Sequence, residues 1–588
     1  MSIARLSRDR KRQLGQFLTP LAVSEAIVSS IAIAPHHRVL EPSFGEGAFV
    51  FPIIESLRTQ LSQHELQKWC SSHLYGCEVD HKAYGRFSQL WQDSHLGPLP
   101  HTLRNCDFFQ WMPPGCYARL ALSRRHYFHS PLAFFDLVIG NPPFGGSIDP
   151  TIQDEADAIW GFRDGMKIKK ETYAFFIVKG VDLLKPGRRL IFICSDTLLT
   201  IATMTGLRKW LQNTCSVAVH PVPGFFSDTN QDMVLLSLTK EESASRSVRV
   251  FGAELAVRDI EATPNMSWRI SGQFTKYFSG NTLGDKMVAT SGMTVGNNKL
   301  FLRRIEQGII LEPYEFSLIQ QRITLANELA RARLGKLSDR RKRELTAMEQ
   351  QGVTETALIW QDLGKPRKVH LPSRDYCYYN KSTSRILYSE PEWMIYWRDD
   401  GKYVYTYKKT GNWYLRGVGG MKYFKREGLT WALIAPRLRT RYLPPGYILD
   451  SGAPCAFLRH GIPHDELYFI LGWTLTDLCN DILKNVINHT RNIKSKDFER
   501  LPYPVWVCNS AKQQAVALVK RLVARSQHGE NIDYKDAELQ AMSRLYAWHD
   551  FVRVTVSGSQ AVAKQMVLFS DGKQCYKGQH KKQHTRSP

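Results

Sequence analysis

The sequence contains neither a long apolar run nor a cysteine pattern typical of cross-linked or metal-binding proteins. Over its 588 residues, no stretch approaches the roughly 18 apolar residues that a membrane-spanning helix requires. The basic N-terminus has no apolar segment behind it, which argues against a secretory signal. The eleven cysteines form no CxxC pair and no ligand-like spacing with histidine. We therefore expect a cytoplasmic protein with reduced thiols, no membrane contact and no metal centre.

Acidic residues are also in short supply. The chain has 78 Lys and Arg against 55 Asp and Glu, which gives a net charge of +23. Most of this excess follows residue 240. Such a charge favours a polyanionic partner, either nucleic acid or an anionic membrane surface. The length exceeds what one hydrophobic core usually supports, so we expect two domains and a smaller appendage.

Short β-rich runs alternate with helical stretches between residues 38 and 240, a pattern typical of a doubly wound, parallel α/β sheet. Ligands of such sheets bind beyond the carboxyl ends of the strands. After residue 241 the pattern changes to polar segments and strands rich in Tyr and Trp, with a charged helix around 314–351. Seven strands are predicted in the first part, at 38–41, 74–79, 103–108, 135–140, 190–195, 216–221 and 233–238.

The first three predicted strands end in residues suited to a nucleotide. After Glu41 comes a loop with Gly45 and Gly47, which permit close approach of a ligand to the backbone. This loop is neither a Walker loop nor a dinucleotide fingerprint, and alone it would be an ordinary turn. The second strand ends at Glu78, whose carboxylate can accept both ribose hydroxyls. The third ends at Asp107-Phe108, an acceptor for an adenine amino group followed by an aromatic face.

The fourth predicted strand runs directly into Asn141-Pro142-Pro143-Phe144. The two prolines fix the backbone. An exocyclic aromatic amine is a poor nucleophile, because its lone pair is delocalised into the ring. Two acceptors, the Asn141 side-chain oxygen and the Pro142 carbonyl, can hydrogen-bond to such an amine and turn its lone pair toward an electrophile without any covalent intermediate or general base.

These motifs, in this order, resemble the S-adenosylmethionine-dependent amino-methyltransferases of DNA in their gamma arrangement, in which the cofactor motifs precede the catalytic one. The resemblance covers residues 14–240 and implies a Rossmann-like, seven-stranded methyltransferase domain. It implies methyl transfer to the N6 amino group of an adenine flipped out of double-stranded DNA, in a restriction-modification or phage-defence system. Asparagine at position 141 goes with adenine, whereas serine there is common in cytosine-N4 enzymes.

The resemblance also implies the roles of individual residues. Phe144 and Phe226 would stack on the target base, with Phe225 as an alternative to Phe226. A segment at 16–20 would close over the methionine end of the cofactor. The residues implied to contact S-adenosylmethionine are Thr19, Glu41, Gly45, Gly47, Glu78, Val79, Asp107, Phe108, Pro143 and Phe176.

Segments of the second half resemble target-recognition regions of long restriction-type methyltransferases. Arg437, Arg439 and Arg441 alternate, which on a strand would put all three on one face, suited to phosphates or guanine edges. The other residues expected to bind DNA are Asn297, Lys299, Arg491 and Lys494. The expected domains are a catalytic domain at 1–240, a linker at 241–285, a mixed α+β target-recognition domain at 286–510, a helical segment at 511–570 and a flexible basic tail at 571–588.

Several alternatives stay open at this stage. Cytosine-N4 methylation needs the same fold, and glutamine-N5 methylation of a protein suits a similar tetrapeptide, although it would leave the basic second half unexplained. A non-catalytic DNA-binding subunit is a third alternative, against which the intact motifs argue. Because about a dozen residues precede the segment at 16–20 and no nuclease motif is evident, we expect any cleavage or defence subunit to be a separate chain.

Overall fold

The structure is a computed structural model that describes residues 19–113, 133–144, 148–222, 233–241, 246–269, 272–278, 280–295, 298–312, 328, 367–406 and 418–547. These residues fall within one compact unit, Met1–Ala547.

The first part of the chain forms a mixed sheet of nine strands. Their order is β11-β10-β8-β9-β7-β4-β1-β2-β3. Strand β9 pairs antiparallel with both β7 and β8, and β11 pairs antiparallel with β10, while the other neighbours are parallel. The strands are β1 (Val39–Glu41), β2 (Leu74–Glu78), β3 (Leu103–Asn105), β4 (Phe135–Gly140), β7 (Leu184–Ser195), β8 (Cys215–Pro221), β9 (Met233–Lys240), β10 (Val248–Val250) and β11 (Ala253–Leu255).

Each of the seven predicted runs overlaps a strand of this sheet. The expected number of seven is wrong for the whole sheet, which has nine strands. Strands β10 and β11 lie in the segment predicted to be a linker and extend the sheet beyond β8. They form a hairpin whose turn, Phe251-Gly252, has positive φ at both residues. The change of composition after residue 241 hid this pairing. The antiparallel β9 also makes the sheet mixed and not wholly parallel.

The centre of the sheet is apolar, and the buried acid of β4 lies away from the carboxyl edge. All six residues of β4 are buried. Asp136, near the amino end of β4, pairs with Lys185 Nζ at 2.8 Å and with Arg188 Nε at 3.1 Å. Val39, Leu137, Ile139, Ile191 and Ile193 belong to one buried cluster with the flanking helices. The strand order brings the carboxyl ends of β1 to β4 side by side.

The second half of the described chain is built from smaller sheets and helices. Two four-stranded sheets have the orders β12-β21-β18-β19 and β13-β17-β16-β20, and β14-β15 is a two-stranded pair. Another two-stranded pair, β5-β6, lies in the first part of the chain, between β4 and β7. Among the described residues, no helix is long and apolar enough to cross a membrane. The bounds of these strands are β5 (Phe162–Arg163), β6 (Met166–Lys167), β12 (Met287–Thr290), β13 (Leu302–Arg304), β14 (Ile309–Glu312), β15 (Arg367–His370), β16 (Tyr376–Asn380), β17 (Trp393–Tyr396), β18 (Gly428–Thr430), β19 (Arg441–Leu443), β20 (Tyr447–Leu449) and β21 (Cys455–Leu458).

Helices cover the large sheet and fill the spaces between the smaller ones. Short 3-10 turns occupy Asp196–Leu199, Ala202–Met204, Lys276–Phe278, Arg398–Gly401 and Val418–Tyr423, and a π-helix occupies Leu483–Ile487. The α-helices are α1 (Leu21–Ser29), α2 (Val50–Leu57), α3 (Gln63–His73), α4 (His81–Asp93), α5 (Gln153–Trp160), α6 (Thr172–Leu183), α7 (Thr205–Thr214), α8 (Val257–Glu261), α9 (Gly272–Thr275), α10 (Leu283–Lys286), α11 (Asn298–Phe301), α12 (Lys402–Thr406), α13 (Asp465–Leu475), α14 (Asp477–Ile482), α15 (Ser495–Glu499), α16 (Asn509–Gln527) and α17 (Ala537–Arg544).

Candidate active site at the carboxyl edge of the sheet

Glu78 joins the loops that follow β1 and β2. Its Oε2 accepts a hydrogen bond from Gly45 N at 2.8 Å, and its Oε1 accepts one from Asp80 N at 2.7 Å. Gly45 has φ +56°, a conformation that glycine adopts at little cost. Burial raises the pKa of Glu78, while the backbone N–H donors of Asp80 and Gly45 oppose that rise. The two loops are therefore fixed around the Glu78 carboxylate, and its binding of ribose hydroxyls stays a prediction.

Glu41 lies at the end of β1 and is almost fully buried, with 1% of its surface exposed. Its Oε2 has no hydrogen-bond partner among the described residues. Burial, followed by the negative charge of Glu78, raises the pKa of Glu41 well above its usual range, against hydrogen bonds from the backbone of Val50 and Phe49. A buried acceptor without a donor is costly, so this site fits a ligand that supplies a cationic donor.

The loop after β3 provides an aromatic wall. Phe108 is buried and Asp107 is partly buried, and Asp107 Oδ1 accepts from Phe109 N at 2.8 Å. Burial raises the pKa of Asp107. Val79, by contrast, is 50% exposed at the carboxyl end of β2, unusual for a large apolar side chain, and offers an apolar surface to a ligand.

Phe176, on α6, lies against Phe108. Both side chains are buried, and the centroids of their rings are 4.8 Å apart. Helix α6 therefore packs an aromatic side chain on the loop after β3. Contact of Phe176 with the adenine of the cofactor stays a prediction.

Lys179, also on α6, is a residue of this wall that the sequence reasoning missed. It is 2% exposed and donates hydrogen bonds to the carbonyl oxygens of Phe108, Phe109 and Trp111. Its Nζ lies 4.5 Å from the centroid of the Phe108 ring. Burial lowers the pKa of Lys179 to about 8. The available signal was a single lysine within the apolar face of a buried helix, which marks a side chain that needs internal partners.

The tetrapeptide begins where β4 ends, beside the loop after β1. Asn141 Nδ2 donates to Thr19 Oγ1 at 3.1 Å, and Ser43 Oγ donates to the carbonyl oxygen of Asn141 at 3.2 Å. The Thr19 contact fixes the orientation of the Asn141 amide. Thr19, Glu41 and Asn141 thus meet at one edge of the sheet, while Ser43 is a contributor that the motif reasoning did not single out.

Phe144 is buried in the described structure. It is 6% exposed, and the centroid of its ring lies 5.7 Å from that of Tyr173 on α6. Stacking of Phe144 on a base stays a prediction and requires a shift of this ring. Phe226, its expected partner across the base, lies outside the described residues, as do Phe225 and the segment 16–18.

The expectation that three arginines share one strand face is wrong. Only Arg441 lies in a strand, β19, and it is 2% exposed. Arg437 Nη2 contacts Asp477 Oδ1 at 2.9 Å, and its guanidinium stacks 3.8 Å from the ring of Tyr534. Arg439 Nη1 makes only a long contact, 3.4 Å, to the carbonyl of Ser384. The chain at 436–440 follows an irregular path, so the alternation does not place these side chains together.

Two other basic residues expected to bind DNA are exposed. Arg491 and Lys494 lie on the loop between the π-helix and α15. Asn297 lies outside the described residues, and so does the side chain of Lys299. Among the described residues, no group of three or more His, Cys, Asp or Glu side chains forms a candidate metal site.

Comparison with known proteins links the first part of the chain to restriction-modification systems. Residues 125–220 match the family described as Eco57I restriction-modification methylase. The chain is 23% identical over 212 residues to the type II methyltransferase M.HincII of Haemophilus influenzae, which covers 35% of this chain and 33% of that protein. It is 28% identical over 202 residues to the type II methyltransferase M.PaeR7I of Pseudomonas aeruginosa, covering 32% and 33%. The match therefore spans about a third of each relative.

Solved structures show a related fold over a longer range. The type IIL restriction-modification enzyme MmeI in complex with DNA aligns with a TM-score of 0.50 and 11% identity, over 92% of this chain and 71% of that one. The DrdV–DNA complex aligns with a TM-score of 0.50 and 12% identity, over 88% and 57%. Together the sequence matches show that the first part of the chain is similar to restriction-modification methyltransferases.

Proposed function

We propose that this chain, which is similar to restriction-modification methyltransferases and has a pocket suited to S-adenosylmethionine, methylates the N6 amino group of adenine in double-stranded DNA. The observation that carries the proposal is the placement of Asn141. It follows β4 at the carboxyl edge, where Thr19 and Ser43 hold it beside the buried carboxylate of Glu41.

Different residues at this edge would bind different parts of the cofactor. Glu41 would accept a hydrogen bond from the cofactor's ammonium group, which would give Oε2 the donor that it lacks among the described residues. Glu78 would accept the ribose hydroxyls, and Asp107 with Val79 would hold the adenine. Gly45, Gly47 and Pro143 border the space for the methionine part. When bound, the cofactor supplies a methyl group on a positively charged sulfur.

Asn141 would activate the acceptor amine. Its side-chain oxygen and the Pro142 carbonyl accept hydrogen bonds from the two amino hydrogens of the base, so the nitrogen lone pair turns toward the methyl group. The amine held in this way would accept the methyl group that the cofactor supplies, and it would then lose one proton to solvent. Thr19 acts indirectly, because its contact orients the Asn141 amide.

Adenine is favoured over cytosine by the identity of residue 141. A base amino group is paired within duplex DNA, so the base must leave the stack, and Phe144 and Phe226 are the residues proposed to stack on it. Most of the chain's net charge of +23 lies after residue 240, and this basic excess supports DNA as the polymer. We place the protein in a restriction-modification or phage-defence system.

Transfer of a labelled methyl group tests this proposal. The protein is incubated with methyl-labelled S-adenosylmethionine, duplex genomic DNA and, separately, a cell protein extract. We expect label in DNA, and we expect Asn141→Ala to lower transfer by about a thousandfold, as for loss of one preorganised polar contact, with cofactor binding retained. Label that enters only protein would support the glutamine-N5 alternative and contradict the proposal. Loss of cofactor binding in Asn141→Ala would contradict the role of Asn141.

A further inference from the structure

A loop of the second half is attached directly to the edge that carries the tetrapeptide. His489 Nε2 lies 2.9 Å from Asp196 Oδ2, and His489 Nδ1 lies 2.7 Å from Thr200 Oγ1. Asp196 and Thr200 come just after β7, the strand beside β4. Because Gly140 of β4 is level with Phe192 of β7, Asp196 lies at the same edge as Asn141. No sequence motif connects these residues.

The sheet side of this junction is rigid. Arg208, on α7, is fully buried and donates to the carbonyl oxygens of Leu198 at 2.6 Å and of Ile201 at 3.0 Å. Asn265 Nδ2 donates both to Thr200 O at 3.3 Å and to Ile487 O at 3.1 Å. The segment after β7 is therefore held from two directions, and Asn265 forms a second bridge to the π-helix that precedes the loop.

The loop itself, residues 488–494, is closed by its own hydrogen bonds. Asn488 Oδ1 accepts from Thr490 N at 2.9 Å and from Thr490 Oγ1 at 2.7 Å. Asn488 Nδ2 donates to Asn492 O at 2.9 Å and to Asp497 Oδ2 at 2.8 Å. These bonds satisfy the buried side chain of Asn488 and fix the backbone of the loop. Because the loop is ordered before a partner binds, the entropy cost of binding is lower.

The outer face of the loop is positively charged. Arg491 and Lys494 are exposed, and no carboxylate of the described part of the chain lies within ion-pair distance of either side chain. Lys484 Nζ donates a hydrogen bond to the carbonyl oxygen of Thr490 in the same loop, at 2.6 Å. Burial is the main cause that lowers the pKa of Lys484 to about 8. Arg521, by contrast, is an exposed cation with a partner, since it lies 3.2 Å from Glu538.

We propose that loop 488–494 is a DNA-backbone contact, which His489 holds beside the methyl-transfer site. The inference rests on the proposed function and adds where the DNA is held. Arg491 and Lys494 bind phosphates close to the extruded adenine, because exposed guanidinium and ammonium groups on a preformed loop complement a polyanion. His489 is a positioning residue, since both of its ring nitrogens contact Asp196 and Thr200 and it sets the distance between the phosphate contact and Asn141.

Steady-state methylation kinetics with a double variant, Arg491→Ala with Lys494→Ala, test the contact. We expect the KM for DNA to rise about tenfold and the slope of log binding constant against log salt to fall by about 2, or about 0.9 for each phosphate contact. The cofactor dissociation constant and melting temperature stay unchanged. Arg521→Ala, which removes a paired and exposed arginine, is the matched control and leaves the KM for DNA unchanged. A double variant with wild-type KM and salt slope overturns the inference.

Variants of His489 test the positioning role. His489→Ala raises the KM for DNA with cofactor affinity retained, and His489→Gln, which keeps a donor at the Nε2 position, restores part of the loss. A His489→Ala protein that changes only in melting temperature overturns this role. If His489→Ala fails to fold, the kinetics of the double variant of Arg491 and Lys494 decide whether the loop contacts DNA. Failure of the wild-type protein to methylate any DNA contradicts the proposed function, whereas normal kinetics in the double variant contradicts only the loop contact.

Discussion

At the scale of single residues, the site depends on carboxylates and amides whose partners are fixed. Glu78 bridges two loops, and Asn141 is oriented by Thr19. Glu41 differs from both, because one of its carboxylate oxygens is buried without a donor among the described residues. This asymmetry makes Glu41 the side chain whose protonation is most sensitive to a cationic ligand.

The affinity for S-adenosylmethionine should depend on pH through Glu41. The pKa of Glu41 is raised, and below that pKa the side chain is protonated and neutral and cannot pair with an ammonium group. As pH rises through that pKa, the carboxylate forms and the affinity increases. Glu41→Gln should bind about tenfold more weakly and lack this increase.

Calorimetric titration of cofactor into both proteins across a pH series measures this effect. The ratio of wild-type to variant affinity removes the titration of the cofactor's own amino group, which is common to both. We expect this ratio to rise with pH and then to level off. A ratio that stays constant across the series would mean that Glu41 does not face the ammonium group.

At the scale of elements, the loop between β1 and α2 depends on two glycines for different reasons. Gly47 has φ +91°, and a Cβ built there would lie 2.6 Å from Phe51 Cε2 and 2.9 Å from Phe87 Cδ2. Gly45 also has positive φ, but a Cβ there would have no atom within 4 Å. The aromatic side chains of α2 and α4 therefore restrict one position of the loop and leave the other open.

Alanine at these two positions should separate steric clash from backbone strain. We expect Gly47→Ala to lower the free energy of unfolding by about 2–4 kcal/mol, through strain and overpacking together. Gly45→Ala should cost about 1–2 kcal/mol, from the left-handed conformation alone. Denaturant unfolding measures both, and equal losses in the two variants would refute the packing argument.

The sequence predicts these elements well where local signals coincide. The boundaries of β4 were predicted without error, because a continuous apolar run ends at a tetrapeptide that cannot extend it. Strands β10 and β11 were missed, because they pair only through a short hairpin in a polar segment. The contact between Phe108 and Phe176 could not be predicted, because motif spacing does not reveal how closely a helix approaches a neighbouring loop.

At the scale of the whole molecule, long-range contacts were beyond sequence reasoning. His489 and Thr200 are separated by 289 positions, and Lys179 lies 71 positions from Phe108. Each is an ordinary polar residue in the sequence, and only folding gives it a role. The large sheet and the second half meet through the His489 contacts, so loop 488–494 is attached to the edge that carries Asn141. The alternating arginines at 437–441 show the reverse error: a regular pattern in the sequence does not form one surface, because each arginine contacts a different part of the structure.

The measurement that tests the central claim most directly is the chemical identity of the methylated base. Duplex DNA from an unmethylated host is incubated with the protein and S-adenosylmethionine, digested to nucleosides and analysed by mass spectrometry, with Asn141→Ala as the blank. The account predicts N6-methyladenine in the wild-type reaction and its absence in the blank. Appearance of N4-methylcytosine in its place, or of no methylated base, would contradict it.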